Sequence, residues 1–317
     1  MAGSTDYPVA TDRSFPPNLT PCDDDFVVAV IDTGVVLDDD LQENTPHPWL
    51  ADHVFYEPEA RDVLGIGRQP TTEGMLNTFD AHGTFVAGLV LREAPAARVH
   101  MYGVLDRAAR NNDEAVAAAI RAAVSGRNPA KVVNLSFNGS LEEGRPPAEI
   151  QHVLDQEIDW GQVVVVAAAG NQGTTGTFFP AASEHVVSVG AVDETRIMPP
   201  GAAPPIADFS NSGDWIRCYA SGVQVLGPLC WFKETGEDLA DNRPSQHFRG
   251  WALWSGTSFA AATVTGRIAR VAMDHRCSAP EAQKIVLNGP KIARPDTLQS
   301  DWPTYVRGVA STWPATQ

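Results

Sequence analysis

Four polar residues in this chain carry side chains that could do acyl-transfer chemistry together. Ser258 stands in GTSFAAATVTG (256–266), where a Gly-Thr pair opens a run of small residues that reads as a buried helix. A serine there caps the helix, because its hydroxyl satisfies an orphan N–H of the first turn. Alternatively it is a nucleophile, held where the helix terminus favours negative charge. The second role needs a base, an acid to orient that base, and a donor for the developing oxyanion. His82, in DAHGTFVAG (80–88), offers the base, at a small-residue helix start suited to close packing on a sheet. Asp32, in IDTG directly after the apolar run FVVAVI (26–31), can orient a histidine, bind Mg²⁺ or cap a turn. Asn171 ends QVVVVAAAGN; it is either a turn residue or a side-chain amide aimed at an oxyanion.

The elements that must position these groups are legible as an alternation. FVVAVI (26–31), RVHMYGVL (98–105), KVVNLSF (131–137), QVVVVAAAG (162–170) and HVVSVGAV (185–192) read as buried strands. DEAVAAAIRAAV (113–124), with Asn112 as its cap, and EIQHVLDQEIDW (149–160) read as helices between them. This β-α-β-α order predicts an α/β fold: a doubly wound, mainly parallel sheet in a three-layer architecture with helices on both faces. Sites in such sheets lie just beyond the carboxyl ends of the strands, which is where Asp32 and Asn171 fall. Residues 1–24 read as a polar arm, and 25–317 as a single domain. Two stretches break the alternation. Residues 193–217 read as a loop excursion, and the charged 227–250 as an irregular, insertion-like loop.

Composition narrows the function classes. With 317 residues, 43% apolar and 20% charged, the chain has the make-up of a globular protein. A net charge of −16 argues against nucleic acid and against anionic membrane as partners. No stretch reaches the roughly 18 apolar residues of a membrane span. The first residues lack a basic and an apolar signal region, so the expected location is cytoplasmic, with a trimmed, secreted mature form as the alternative. Cys22, Cys218, Cys230 and Cys277 show no C-x-x-C pattern and read as reduced thiols, with a Cys218–Cys230 bridge left open. No histidine pair has metal-ligand spacing. The lone DTG lacks the partner aspartate of an aspartic protease, and Gly65 and Gly67 lack the third glycine of a dinucleotide fingerprint.

Taken together, IDTG, HGTFVAG, AAAGN and GTSFAAATVTG resemble the motifs of subtilisin-like serine proteases over roughly residues 25–290. The Asp-His-Ser chain order is that of subtilisin. The resemblance implies a serine endopeptidase in which Ser258 attacks, His82 is general base and acid, and Asp32 holds the imidazole. Asn171 and the Ser258 N–H would form the oxyanion hole. A catalytically silent or partner-gated binding module on the same fold is the alternative.

Three departures from the family pattern stand out. Phe259 and Ala262 replace its usual Met and Pro; Phe259, next to the nucleophile, is placed where it could crowd the pocket, but neither change removes a catalytic group, so activity is expected to survive. LVLREAPAARV (89–99) leaves no room for the family's common calcium loop, so no strong metal site and no cofactor are expected, weak calcium sites elsewhere staying open. Nothing before residue 25 is long enough for a propeptide. By motif position, a peptide or protein substrate would add as a β-strand against Ser136, Phe137 and Asn138 and against an edge carrying Arg107 and Arg110. Ser136–Asn138, with Ala168, Ala169, Gly170 and part of Thr174–Pro180, would line the pocket for the residue before the cut. That lining has no carboxylate for Arg or Lys, and Asn138 should narrow it.

Overall fold

The computed structural model describes residues 8–13, 19–35, 50–56, 81–105, 112–125, 128–137, 139, 146–197, 203–234, 246–289 and 304–306. The strands are β1 (Val9–Ala10), β2 (Asp23–Asp32), β3 (Val54–Tyr56), β4 (Ala97–Gly103), β5 (Val132–Leu135), β6 (Val164–Ala168), β7 (Val187–Val192), β8 (Cys218–Ser221), β9 (Val225–Glu234), β10 (Gln246–Trp254) and β11 (Thr304–Tyr305). The helices are α1 (His82–Glu93), α2 (Asp113–Ser125), α3 (Ala148–Gln156), α4 (Thr257–His275) and α5 (Ala279–Leu287).

Among the described residues the main sheet has eight strands in the order β11-β8-β7-β6-β5-β2-β4-β3. Every pairing within it is parallel. The continuous apolar runs are strands because both faces are covered. On β2, Val28 and Val30 join a core with α1, α4 and α5, whereas Val27, Ala29 and Ile31 join one with α2 and α3. That alternation is the three-layer, doubly wound architecture. Each fully buried Val or Leu in these layers contributes about 1.5–3 kcal/mol.

The winding reverses at β2. The chain builds β4 on one side of it, then crosses to lay β5 on the other. Asp32 therefore ends a strand at the switch point, the usual position for a site in such sheets.

The 227–250 segment corrects the sequence reading. Its described residues, 227–234 and 246–250, are strand: β9 and β10 pair antiparallel from Val225↔Trp254 to Glu234↔Gln246, while 235–245 lie outside the described residues. β1 extends them to a three-stranded sheet through Val9↔Leu253 and Ala10↔Ala252, so part of the polar arm is a strand. In QHFRGWALW burial alternates at 247–249, with Phe248 buried between exposed His247 and Arg249, and again at 252–254, with Ala252 and Trp254 buried about Leu253; Trp251 is also buried, after the shift in register at Gly250. This is the two-residue period of a half-buried strand. The register shift between Arg249 and Trp251 falls on Gly250, whose φ of 85° suits glycine. All four cysteines are free thiols, so the Cys218–Cys230 bridge is not formed.

Candidate active site

IDTG and HGTF lock together residue by residue. Asp32 is fully buried, and its Oδ1 accepts from His82 Nδ1 at 2.8 Å and from Thr33 N at 2.7 Å. Thr33 Oγ1 accepts the N–H of Gly83, next along α1, at 3.0 Å. Gly34, at φ 94°, lets the chain turn away beneath the helix start. A Cβ on Gly83 would overlap the Gly34 carbonyl oxygen, so both glycines are required for helix and strand to approach this closely. With Nδ1–H donating to the carboxylate, Nε2 is left as the acceptor a general base needs. Among the described residues, the buried Asp32 Oδ2 has no hydrogen-bond partner.

The rest of the imidazole is held by aromatic rings. Trp254 meets His82 edge-on at 5.5 Å between centroids, and Phe259 lies tilted at 5.5 Å. Both rings pack on Phe85, at 5.6 and 4.7 Å. Phe259 is 1% exposed. The reading that it could crowd the pocket is thus corrected: α4 turns this side chain inward, where it supports the histidine. Apolar walls also strengthen the Asp32–His82 interaction by excluding water.

Ser258 lies in the first turn of α4. Its Oγ donates to the Ser136 carbonyl at 3.0 Å, and Ser136 Oγ donates to the Ser258 carbonyl at 3.0 Å. The Ser258–His82 hydrogen bond that the resemblance implies is not formed. The hydroxyl has a competing acceptor at the end of β5, and such bonds are often made only with substrate present. Below this pair, Asn134 donates to Ser136 Oγ at 2.8 Å and accepts from Thr265 Oγ1 at 2.9 Å. That network ties α4 to β5.

Asn171 follows β6, and its amide is oriented by α4. Its Oδ1 accepts from Thr257 N and from Thr257 Oγ1, both at 2.9 Å. Thr257 Oγ1 in turn accepts from Gly170 N at 3.0 Å. With Oδ1 engaged, Nδ2 points the other way, past Gly256, where a Cβ would stand 3.5 Å from it. The Ser258 N–H belongs to the same helix start, where first-turn amides lack an intrahelical acceptor. Two N–H donors therefore flank the start of α4.

Of the expected substrate contacts, Ser136, Phe137, Ala168, Ala169 and Gly170 are buried at the carboxyl ends of β5 and β6. Gly139 pairs with Phe179 across the next wall, at 2.9 and 3.3 Å. Asn138, Arg107 and Arg110 lie outside the described residues. α1 runs unbroken from His82 to Glu93 and reaches β4 through 94–96. No group of three His, Cys, Asp or Glu residues among those described is arranged to hold a metal ion. Sequence reasoning gave no role to Thr257 or Asn134, though both sit inside motifs it quoted. It missed Asn211 entirely, because that residue lies in an unpatterned loop.

With this geometry in place, comparison with known proteins is direct. The model of the subtilase family matches residues 23–288. A thermophilic serine proteinase of Bacillus sp. (strain AK1) is 32% identical over 277 residues, covering 84% of this chain and 57% of that protein. The chain thus spans little more than half of that relative. The crystal structure of a lanthipeptide protease is similar with a TM-score of 0.62 and 26% identity, covering 86% of this chain and 82% of that one. The prenylagaramide maturation protease PagA shares the fold with a TM-score of 0.62 at 22% identity, over 90% of this chain and 92% of that one.

Proposed function

The chain belongs to the subtilase family, and from that premise we propose that it is a serine endopeptidase working through an acyl-enzyme on Ser258. The observation that carries the reading is the buried 2.8 Å bond between Asp32 and His82 at the sheet's switch point, beside the start of the helix bearing Ser258. His82 Nε2 takes the Ser258 proton as Oγ attacks the peptide carbonyl, then returns it to the leaving amine. Asp32 keeps the proton on Nδ1 and stabilises the imidazolium. The tetrahedral oxyanion is received by Asn171 Nδ2 and the Ser258 N–H. Water then repeats the sequence to release the acid. Every group in these steps belongs to this chain, so the reading calls for no cofactor.

The Ser258–Ser136 bond fits this scheme as a resting state. A substrate strand pairing with residue 136 would donate an N–H to the same carbonyl and free the Ser258 hydroxyl for His82. The substrate is a peptide of restricted sequence, bound as an added strand, without a trypsin-like preference for Arg or Lys. The similarity to a lanthipeptide protease supports a lanthipeptide-like peptide as its class.

Cleavage of a quenched fluorescent peptide library by wild-type protein and by Ser258→Ala tests the reading. Hydrolysis by the wild type alone is expected. A folded wild type that cleaves no peptide would overturn the endopeptidase reading in favour of a silent binding module.

A further inference from the structure

We infer that Asn211 is a positioning residue for the oxyanion hole: its carboxamide fixes the backbone of the loop that carries Asn171. The inference rests on the reading of Asn171 above and extends it to a residue in a different segment of the chain.

Asn211 is fully buried, and its carboxamide makes four hydrogen bonds to the 169–174 loop. Its Oδ1 accepts from Gln172 N at 3.1 Å and Thr174 N at 3.2 Å. Its Nδ2 donates to the Ala169 carbonyl at 2.8 Å and to Gln172 Oε1 at 2.9 Å. Two backbone N–H groups face one end of the amide and a backbone carbonyl faces the other. The flipped orientation would break at least three of these bonds, so the assignment follows from the network. The Asn211 N–H adds a bond to the Gly170 carbonyl at 2.9 Å. Asn211 therefore grips residues 169, 170, 172 and 174, on both sides of Asn171.

The loop needs this grip. Gly170 and Gly173 have φ of 105° and 64°, so residues 169–174 are neither strand nor helix, and their polar groups need partners from elsewhere. Flanking bonds from Gly173 N to the Phe209 carbonyl (2.8 Å) and Ser212 N to the Thr174 carbonyl (2.9 Å) continue the stitching. Asn171 itself is bound by Thr257, which sets the direction of its amide. Asn211 sets where the loop stands, and Thr257 sets how the amide points. An oxyanion donor must meet the transition state within a few tenths of an ångström, so a loop released from Asn211 lowers turnover more than binding.

The test is a double-mutant cycle on a peptide substrate, comparing wild type, Asn171→Ala, Asn211→Ala and the double variant, with thermal unfolding of each. Asn211→Ala is expected to lower kcat by about 10- to 100-fold with KM within a factor of two. In the Asn171→Ala background the same change should move kcat by less than twofold, because the donor it positions is gone. Equal losses in both backgrounds, a change confined to KM, or no change in kcat would each overturn the inference. Should Asn211→Ala not fold, Asn211→Asp, which keeps both acceptor bonds, takes its place; failure of both to fold would make Asn211 a residue of the fold only and also overturn it. If the wild type is active and Asn171→Ala is impaired while Asn211→Ala is not, this inference alone fails. If Asn171→Ala leaves kcat intact, the reading of the oxyanion hole fails with it.

Discussion

The two halves of the site are held by different forces. Among the described residues the His82 imidazole makes one hydrogen bond, to a buried carboxylate, and is otherwise confined by Trp254 and Phe259, which pack on Phe85. Asn171 stands in a loop with little apolar packing of its own, stitched by Thr257 and Asn211 through directional bonds. The difference follows from the role proposed for each group. A base that alternates between neutral and charged forms benefits from a shielded partner and a wall that excludes water. A donor that stays neutral benefits from preorganised direction, which hydrogen bonds supply and apolar packing does not.

Substitutions can separate the halves. The largest effect is expected for His82→Ala, with kcat down by about 10⁶-fold, a magnitude known from subtilisin, and little change in KM. Retained turnover would mean the base lies elsewhere. Next comes Phe259→Ala, which empties the space among His82, Phe85 and Trp254. It should cost about 3–5 kcal/mol in urea unfolding and lower kcat, because the wall behind the base is lost. A stability loss under 1 kcal/mol would place Phe259 outside the wall.

Thr257→Val tests the other half. It keeps the shape but deletes the hydroxyl joining Gly170 N to Asn171 Oδ1. The expected loss in kcat is about tenfold, with about 1–3 kcal/mol of stability, since two hydrogen bonds go and the buried Gly170 N–H loses its acceptor. Thr257→Val behaving like Phe259→Ala, with stability lost far beyond this, would erase the contrast. The smallest effect belongs to Asn112→Ala, on the far layer. Asn112 Oδ1 caps α2 by accepting from Glu114 N at 2.9 Å and Ala115 N at 3.4 Å. Its removal should cost about 1 kcal/mol and leave kcat unchanged; a change in kcat would show that the far layer is coupled to the site.

The sequence showed these halves unequally. The central strands were legible because burial on both faces leaves uninterrupted apolar runs, as in FVVAVI and QVVVVAAAG. β3, β8 and β11 were not, being two to four residues long. The β9–β10 pair was hidden by the charged composition of the stretch, although His247, Phe248 and Arg249 already alternate. α3 stops at Gln156 rather than Trp160, where Asp159 makes a turn by accepting from Gly161, Gln162 and Val163 N–H groups. α5 went unread although Ser278 and Glu281 form a capping box at its start.

Within the site, Asp32, His82, Asn171 and Ser258 stood out because the proposed function demands particular residue types in short, glycine-bearing motifs. The inward turn of Phe259 and the grip of Asn211 are tertiary contacts. Nothing local distinguishes FSNSG from any other polar loop, so only the fold reveals Asn211.

The central claim is that Ser258 is a nucleophile made reactive by His82 and Asp32. Its most direct test is labelling of the purified protein by a fluorophosphonate probe, with the modified peptide located by mass spectrometry. The account predicts a single label on Ser258, abolished in Ser258→Ala and His82→Ala. A folded wild type that takes no label, or takes it on another residue, would contradict it.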